Sequence, residues 1–152
     1  MALPNIFDRA VSDSVIERIN KLTPSTQPLW GSMDVARMLA HCNVTYELVY
    51  ENIHAKPNAM VKLMLKLLVK NSVVSETPYK HNIRTGPQFL IIDAKVFEAE
   101  KKRLISYITR VQKDGAKSFE GKASHSFGPL NATEWNNMFY KHIDHHLKQF
   151  GV

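Results

Sequence analysis

Apolar residues recur at intervals of three and four along most of this chain, a spacing that predicts helices and leaves no convincing strand. Ile6, Phe7, Ala10, Val11, Ile16, Ile19 and Leu22 keep that period from about 5 to 22. Thr23-Pro24 ends the run, because proline disfavours helical geometry in the residue before it. A second helix is predicted over 33–54, capped by Ser32 or Asp34, with Val35, Met38, Leu39, Cys42, Val49 and Ile53 on its apolar face. Between Asn58 and Lys70, Met60, Leu63, Met64, Leu67 and Leu68 oppose Lys62, Lys66 and Lys70. That short basic amphipathic helix is expected to close the core with its apolar side, in preference to lying on a membrane or a partner. Asn71 to Ile92 lacks periodicity and reads as a long loop over the surface. Asp93 is the expected cap of a third long helix, with Val96, Phe97, Leu104, Ile108 and Val111 inward and Gly115 as its stop. After a loop over 116–129, Asn131 and Glu134 have the spacing of a capping box that opens a fourth long helix over 132–149. The predicted fold is all-α, a four-helix bundle with an additional short helix, in one domain spanning 1–152.

Composition narrows the class without naming a function. At 152 residues and 44% hydrophobic, the chain is long and apolar enough for one core. Cys42 is the only cysteine and forms no internal disulfide, and the first residues lack a signal-peptide pattern, so a reducing, cytoplasmic setting is expected. No stretch approaches the roughly 20 apolar residues of a bilayer span. The net charge of +6 comes from lysines scattered through the chain, the mark of a solvated surface and not of a phosphate-tracking stripe. Neither a nucleic acid nor a membrane is therefore the expected partner.

Chemistry concentrates in the last predicted helix, where His142, His145 and His146 fall within five residues. At about 100° per residue, side chains four apart share a face, so His142 and His146 look the same way and Gln149 lies between them one turn on. Ile143 occupies the position that carries glutamate in an H-E-x-x-H zinc protease, so that chemistry is excluded. Two imidazoles need a third donor, and His41 on the second predicted helix is the candidate. Cys42 lies about 100° round from it and reads as a small core residue.

Two segments resemble the DinB-like (DinB/YfiT-like) superfamily of four-helix-bundle candidate metalloproteins, in its branch of uncharacterised bacterial domains. One runs from Pro28-Leu29-Trp30-Gly31 through Met38 to His41-Cys42; the other is His125-Ser126-Phe127-Gly128-Pro129-Leu130 to Glu134-Trp135, followed by His142, His146, Gln149 and Phe150. The resemblance implies a DinB-like bundle in which one histidine of the second helix and two on the last bind a divalent metal. Here those positions are His41, His142 and His146. The sequence departs from the branch at Ser126, where proline is expected, and His145 is the alternative second ligand at spacing three.

Three neutral imidazoles around zinc, nickel or iron would make a Lewis-acidic centre that lowers the pKa of bound water or of a thiol. The implied activity is that of a metal-dependent enzyme on a small molecule, a hydrolase or thiol transferase. The competing reading is a non-catalytic bundle, monomeric or homodimeric, whose histidines are a relic or hold metal structurally. Trp30, His125, Phe127 and Glu134 are candidates for the pocket mouth, with His145 and Gln149 beside the ligands. Asp144 is expected to face solvent.

Overall fold

The computed structural model describes residues 1–152 and is mostly helical. Six helices follow in order: α1 Arg9–Asn20, α2 Val35–Tyr50, α3 Ala59–Leu68, α4 Lys70–Val74, α5 Phe97–Asp114 and α6 Ala132–Gln149. Single turns of tighter helix lie at Pro87–Phe89 and Ala116–Phe119. Two-residue strands, β1 Ala123–Ser124 and β2 Gly128–Pro129, pair antiparallel before α6. No helix is long and apolar enough to cross a membrane.

The helix ends are set by local hydrogen bonds. Asp34 is the cap of α2, its Oδ1 accepting from the Arg37 amide at 2.9 Å. That helix stops at Tyr50, so Ile53 is exposed instead of lying on its apolar face. Ile6 and Phe7 precede α1 but are buried all the same, because the Ile6 amide donates to Asn136 Oδ1 on α6 at 2.7 Å. Asp93 does not cap α5; it pairs with Lys95, and Val96, left at the N-cap position, is exposed. Gly115 ends α5 at φ +70, a conformation that L side chains rarely adopt.

The capping box of α6 is present in full, with Glu134 N–H donating to Asn131 Oδ1 at 2.9 Å and Asn131 N–H to Glu134 Oε2 at 3.0 Å. Asn131→Ala removes one half of this pair and is expected to lower unfolding free energy by about 1 kcal/mol, read from the shift in urea midpoint.

The core sits among α1, α2, α5 and α6, where aromatic rings form a continuous row. Phe119 meets Trp135 and Phe139 at 5.4 Å, Phe139 meets Tyr46 at 5.3 Å, and Tyr46 meets Tyr107 at 5.6 Å. A polar cluster also ties α2 to α5. Arg103 joins Glu47 to Glu100, Asn43 donates to Glu100 Oε2 at 2.8 Å, and His54 pairs with Glu47 at 2.7 Å. Both carboxylates are buried and each is paired with Arg103, so α2 is held by charge as well as by packing.

Two parts of the chain depart from the expected pattern. The segment over 71–92 is not all loop, since α4 occupies its start. The second departure is α3, which has the predicted apolar stripe but buries no residue of it. Met60, Leu63, Met64, Leu67 and Leu68 are exposed, and only Leu65, on the other side, packs against the core. Lys62 and Leu65 are half-buried on the side towards the domain and Lys66 is exposed, while Lys70, just beyond α3, pairs with Glu134 on α6 at 2.7 Å.

Candidate metal centre

His41 projects from the middle of α2, and His142 and His146 from successive turns of α6. One ligand atom from each ring falls within 4.8 Å of the others, and the Nε2 atoms of His41 and His142 are 3.0 Å apart. The rings meet at centroid separations of 4.6 to 5.0 Å. His145, one residue round the helix, is outside the cluster, because its ring turns towards Trp30, Tyr79 and His81.

Each ring is oriented through its far nitrogen. The Phe89 carbonyl only accepts, so His41 carries its proton on Nδ1 and donates at 2.9 Å, leaving Nε2 bare. Gln149 donates through Nε2 to the Trp30 carbonyl at 2.9 Å, which fixes its amide and aims Oε1 at His146 Nδ1, 2.8 Å away. His146 therefore also presents a bare Nε2. Gly31 is demanded here by close approach: a Cβ at that position would stand 2.9 Å from Gln149 Nε2, and its φ of +79 already lies in the left-handed region. The Trp30-Gly31 turn is further locked to α6 by the Leu29 amide, which donates to the Gln149 carbonyl at 2.7 Å.

The third ring is held by Thr45, whose hydroxyl is 3.0 Å from His142 Nδ1 and can donate or accept. With His41 Nε2 bare, a proton on His142 Nε2 closes the 3.0 Å gap, and Thr45 then donates to Nδ1. With the proton on His142 Nδ1, the same hydroxyl accepts and all three Nε2 lone pairs are free.

Burial lowers the pKa of all three rings. For His41 it outweighs the Phe89 carbonyl, which favours the charged form. His142 is held well below the usual histidine range, first by burial and then by its histidine neighbours. His146 is pushed down to about 3 by burial and by His41. At neutral pH the cluster is a set of uncharged nitrogen donors. Two imidazoles about 2.1 Å from one tetrahedral ion stand about 3.4 Å apart, so the 3.0 Å between His41 and His142 needs to open only slightly to admit one.

The cluster opens onto a cavity of about 870 Å³ lined by Trp30, Tyr79, Phe89, Phe127 and Trp135, with Arg37 and Arg84 among its polar walls. Trp30 stacks on His81 at 3.8 Å. His125, Phe127, His145 and Gln149 also line it, but Glu134 does not, being occupied by the α6 cap and by Lys70. Asp144 does not simply face solvent; Arg18 binds it at 2.8 Å and Lys148 at 2.7 Å. Cys42 is fully buried against Met38 and its thiol is pushed far up by burial, as befits a core residue. Thr45 was open to discovery in the sequence, since it lies one turn beyond His41 on the same face. Phe89, Tyr79 and His81 come from the aperiodic segment and gave no such signal.

Fold and site together define a mostly helical protein with a largely buried all-imidazole donor cluster beside an aromatic cavity. Residues 7–151 match the family described as "Protein of unknown function (DUF1569)", and the chain belongs to that family. No curated protein and no solved structure matches it.

Proposed function

We propose that His41, His142 and His146 bind a divalent metal ion and that the chain, a DinB-like four-helix bundle, is a metal-dependent enzyme acting on a small molecule in the adjoining cavity. The observation that carries this reading is the convergence of three neutral imidazoles whose far nitrogens are each engaged. Such second contacts fix ring orientation and raise ligand basicity. A bound ion would supply Lewis acidity towards water or a thiol, the chemistry of a hydrolase or a thiol transferase.

The chain's own residues define the rest. Phe89 and Gln149 keep His41 and His146 in the tautomer with free Nε2, and Thr45 accepts the His142 proton at Nδ1. Trp30, Tyr79 and Phe127 give the cavity apolar aromatic walls that suit a substrate with an apolar body. His145 and His81 stand at the same wall and can orient a polar group on it.

Metal analysis of the chain purified without chelator tests the reading. About one equivalent of metal is expected in the parent and none in a folded His41→Ala or His146→Ala variant. Failure to take up zinc, nickel or iron at any loading would sink it and leave the histidines as a relic. Thr45→Val keeps the shape of the side chain but leaves His142 Nδ1 without a partner, and metal affinity is expected to fall about tenfold in a competition titration.

A further inference from the structure

The outward face of α3 is the largest feature that the proposed chemistry leaves unused. Met60, Leu63, Met64, Leu67 and Leu68 lie at i, i+3, i+4, i+7 and i+8, a continuous stripe along one side of the helix, and each is more than half exposed. The opposite side carries Leu65 against the core. An amphipathic helix set with its apolar stripe towards water is costly unless something apolar covers it.

Charge says what kind of cover fits. Residues 52–75 contain Lys56, Lys62, Lys66 and Lys70 and not one aspartate or glutamate. Of the four, only Lys70 is in an ion pair, with Glu134. Lys66 sits on the margin of the apolar stripe, about 60° round from Leu63. A second copy docked stripe to stripe would bring Lys66 to the seam from both copies, with no carboxylate in residues 52–75 to answer it. An anionic lipid surface answers both features, with acyl chains under the leucines and methionines and a phosphate beside the exposed Lys66.

Position supports the same cover. Val61 and Val69, on the flank of α3, are exposed and at the same time line the cavity that holds the histidines. Ile83 and Leu90 are likewise exposed and cavity-lining, and Arg84 lines the cavity with them. The mouth is therefore bordered by apolar side chains and a cation, so a surface seated on α3 would meet the rim of the opening as well.

We infer that α3 docks the protein onto anionic lipid membranes, its Met60 to Leu68 stripe inserting at the headgroup boundary with the cavity mouth beside it. The expectation of no membrane partner rested in part on α3 turning this stripe inward, which it does not. The docking does not depend on a metal in the histidine cluster, and its test reads lipid binding alone.

The experiment is co-sedimentation of the full chain with vesicles of pure phosphatidylcholine and with vesicles containing about 30% phosphatidylglycerol. Binding is expected to the anionic vesicles and to weaken at high salt. The double variant Leu63→Glu/Leu67→Glu changes two exposed side chains, and unchanged circular dichroism certifies its fold. Its partition is expected to fall more than tenfold, and that of Lys66→Gln about fivefold. No sedimentation with anionic vesicles overturns the inference, as does equal binding by parent and double variant. A parent that is dimeric in solution and a double variant that is monomeric would instead assign the stripe to a second copy, and would overturn it too.

Discussion

Loaded with a divalent ion at about a hundred times its dissociation constant, the chain is expected to melt about 5–11 °C above the chelator-treated protein. The size of the shift follows from mass action. An ion that binds the folded chain and not the unfolded one adds about 2.7 kcal/mol at that concentration, and about 2–4 °C accompanies each kcal/mol in a chain of this length. The unfolded chain offers no rival site of comparable quality, because His41 is separated from His142 by most of the sequence and only the packing of α2 on α6 brings the rings together. The same measurement on His41→Ala should show no shift, since two ligands four residues apart on one helix remain. Identical melting of the parent with and without metal would mean that the ion gains nothing from the fold. The 3.0 Å approach of His41 to His142 would then be a proton-bridged pair and no more.

Much of this arrangement was legible in the sequence because it depends on periodicity and caps. The last helix has its start written in Asn131 and Glu134, and its spacing puts His142 and His146 on one face. The choice between His145 and His146 was not legible. Both follow His142 within one turn, and what decides is Gln149, three residues beyond His146, held in turn by the Trp30 carbonyl from a remote loop. Hydrogen bonds to backbone carbonyls of distant segments, such as that of His41 to Phe89, leave no mark on side-chain identity. The case of α3 is different. Its pattern correctly gave a helix with one apolar side, but periodicity establishes that a face exists and not what it meets. The inward surface went to the flank with Val61, Leu65 and Val69, which the cavity needs as a wall, and the stronger stripe was left outside.

Lys141 shows how α6 holds the segment that follows α3, and replacing it is expected to release that segment. The side chain is buried, and its ammonium donates to the carbonyls of Ser72, Ser75 and Thr77 at 2.8, 2.6 and 3.1 Å. Three N–H donors meet three acceptors. One turn earlier on α6, Asn137 Nδ2 donates to the Val74 carbonyl at 2.9 Å, so the two side chains grip the end of α4 together. Burial pushes the Lys141 ammonium down to about 8, which still leaves it mainly charged at neutral pH. Lys141→Met keeps the length and apolar stem but removes every donor, at an expected cost of about 2 kcal/mol, or roughly 4–8 °C in melting temperature. Hydrogen exchange should localise the loss to residues 70–80, with the amides of α2 and α5 protected as before. Uniform loss across the chain would show that Lys141 supports the whole core and not this strap. Tyr79 travels with the strap: Lys141 lies 4.6 Å from its ring, which faces His142 and His145 from the cavity wall. Releasing the strap therefore removes a wall of the cavity beside the histidine cluster on the side of α4, which links the stability of a buried lysine to the shape of the site.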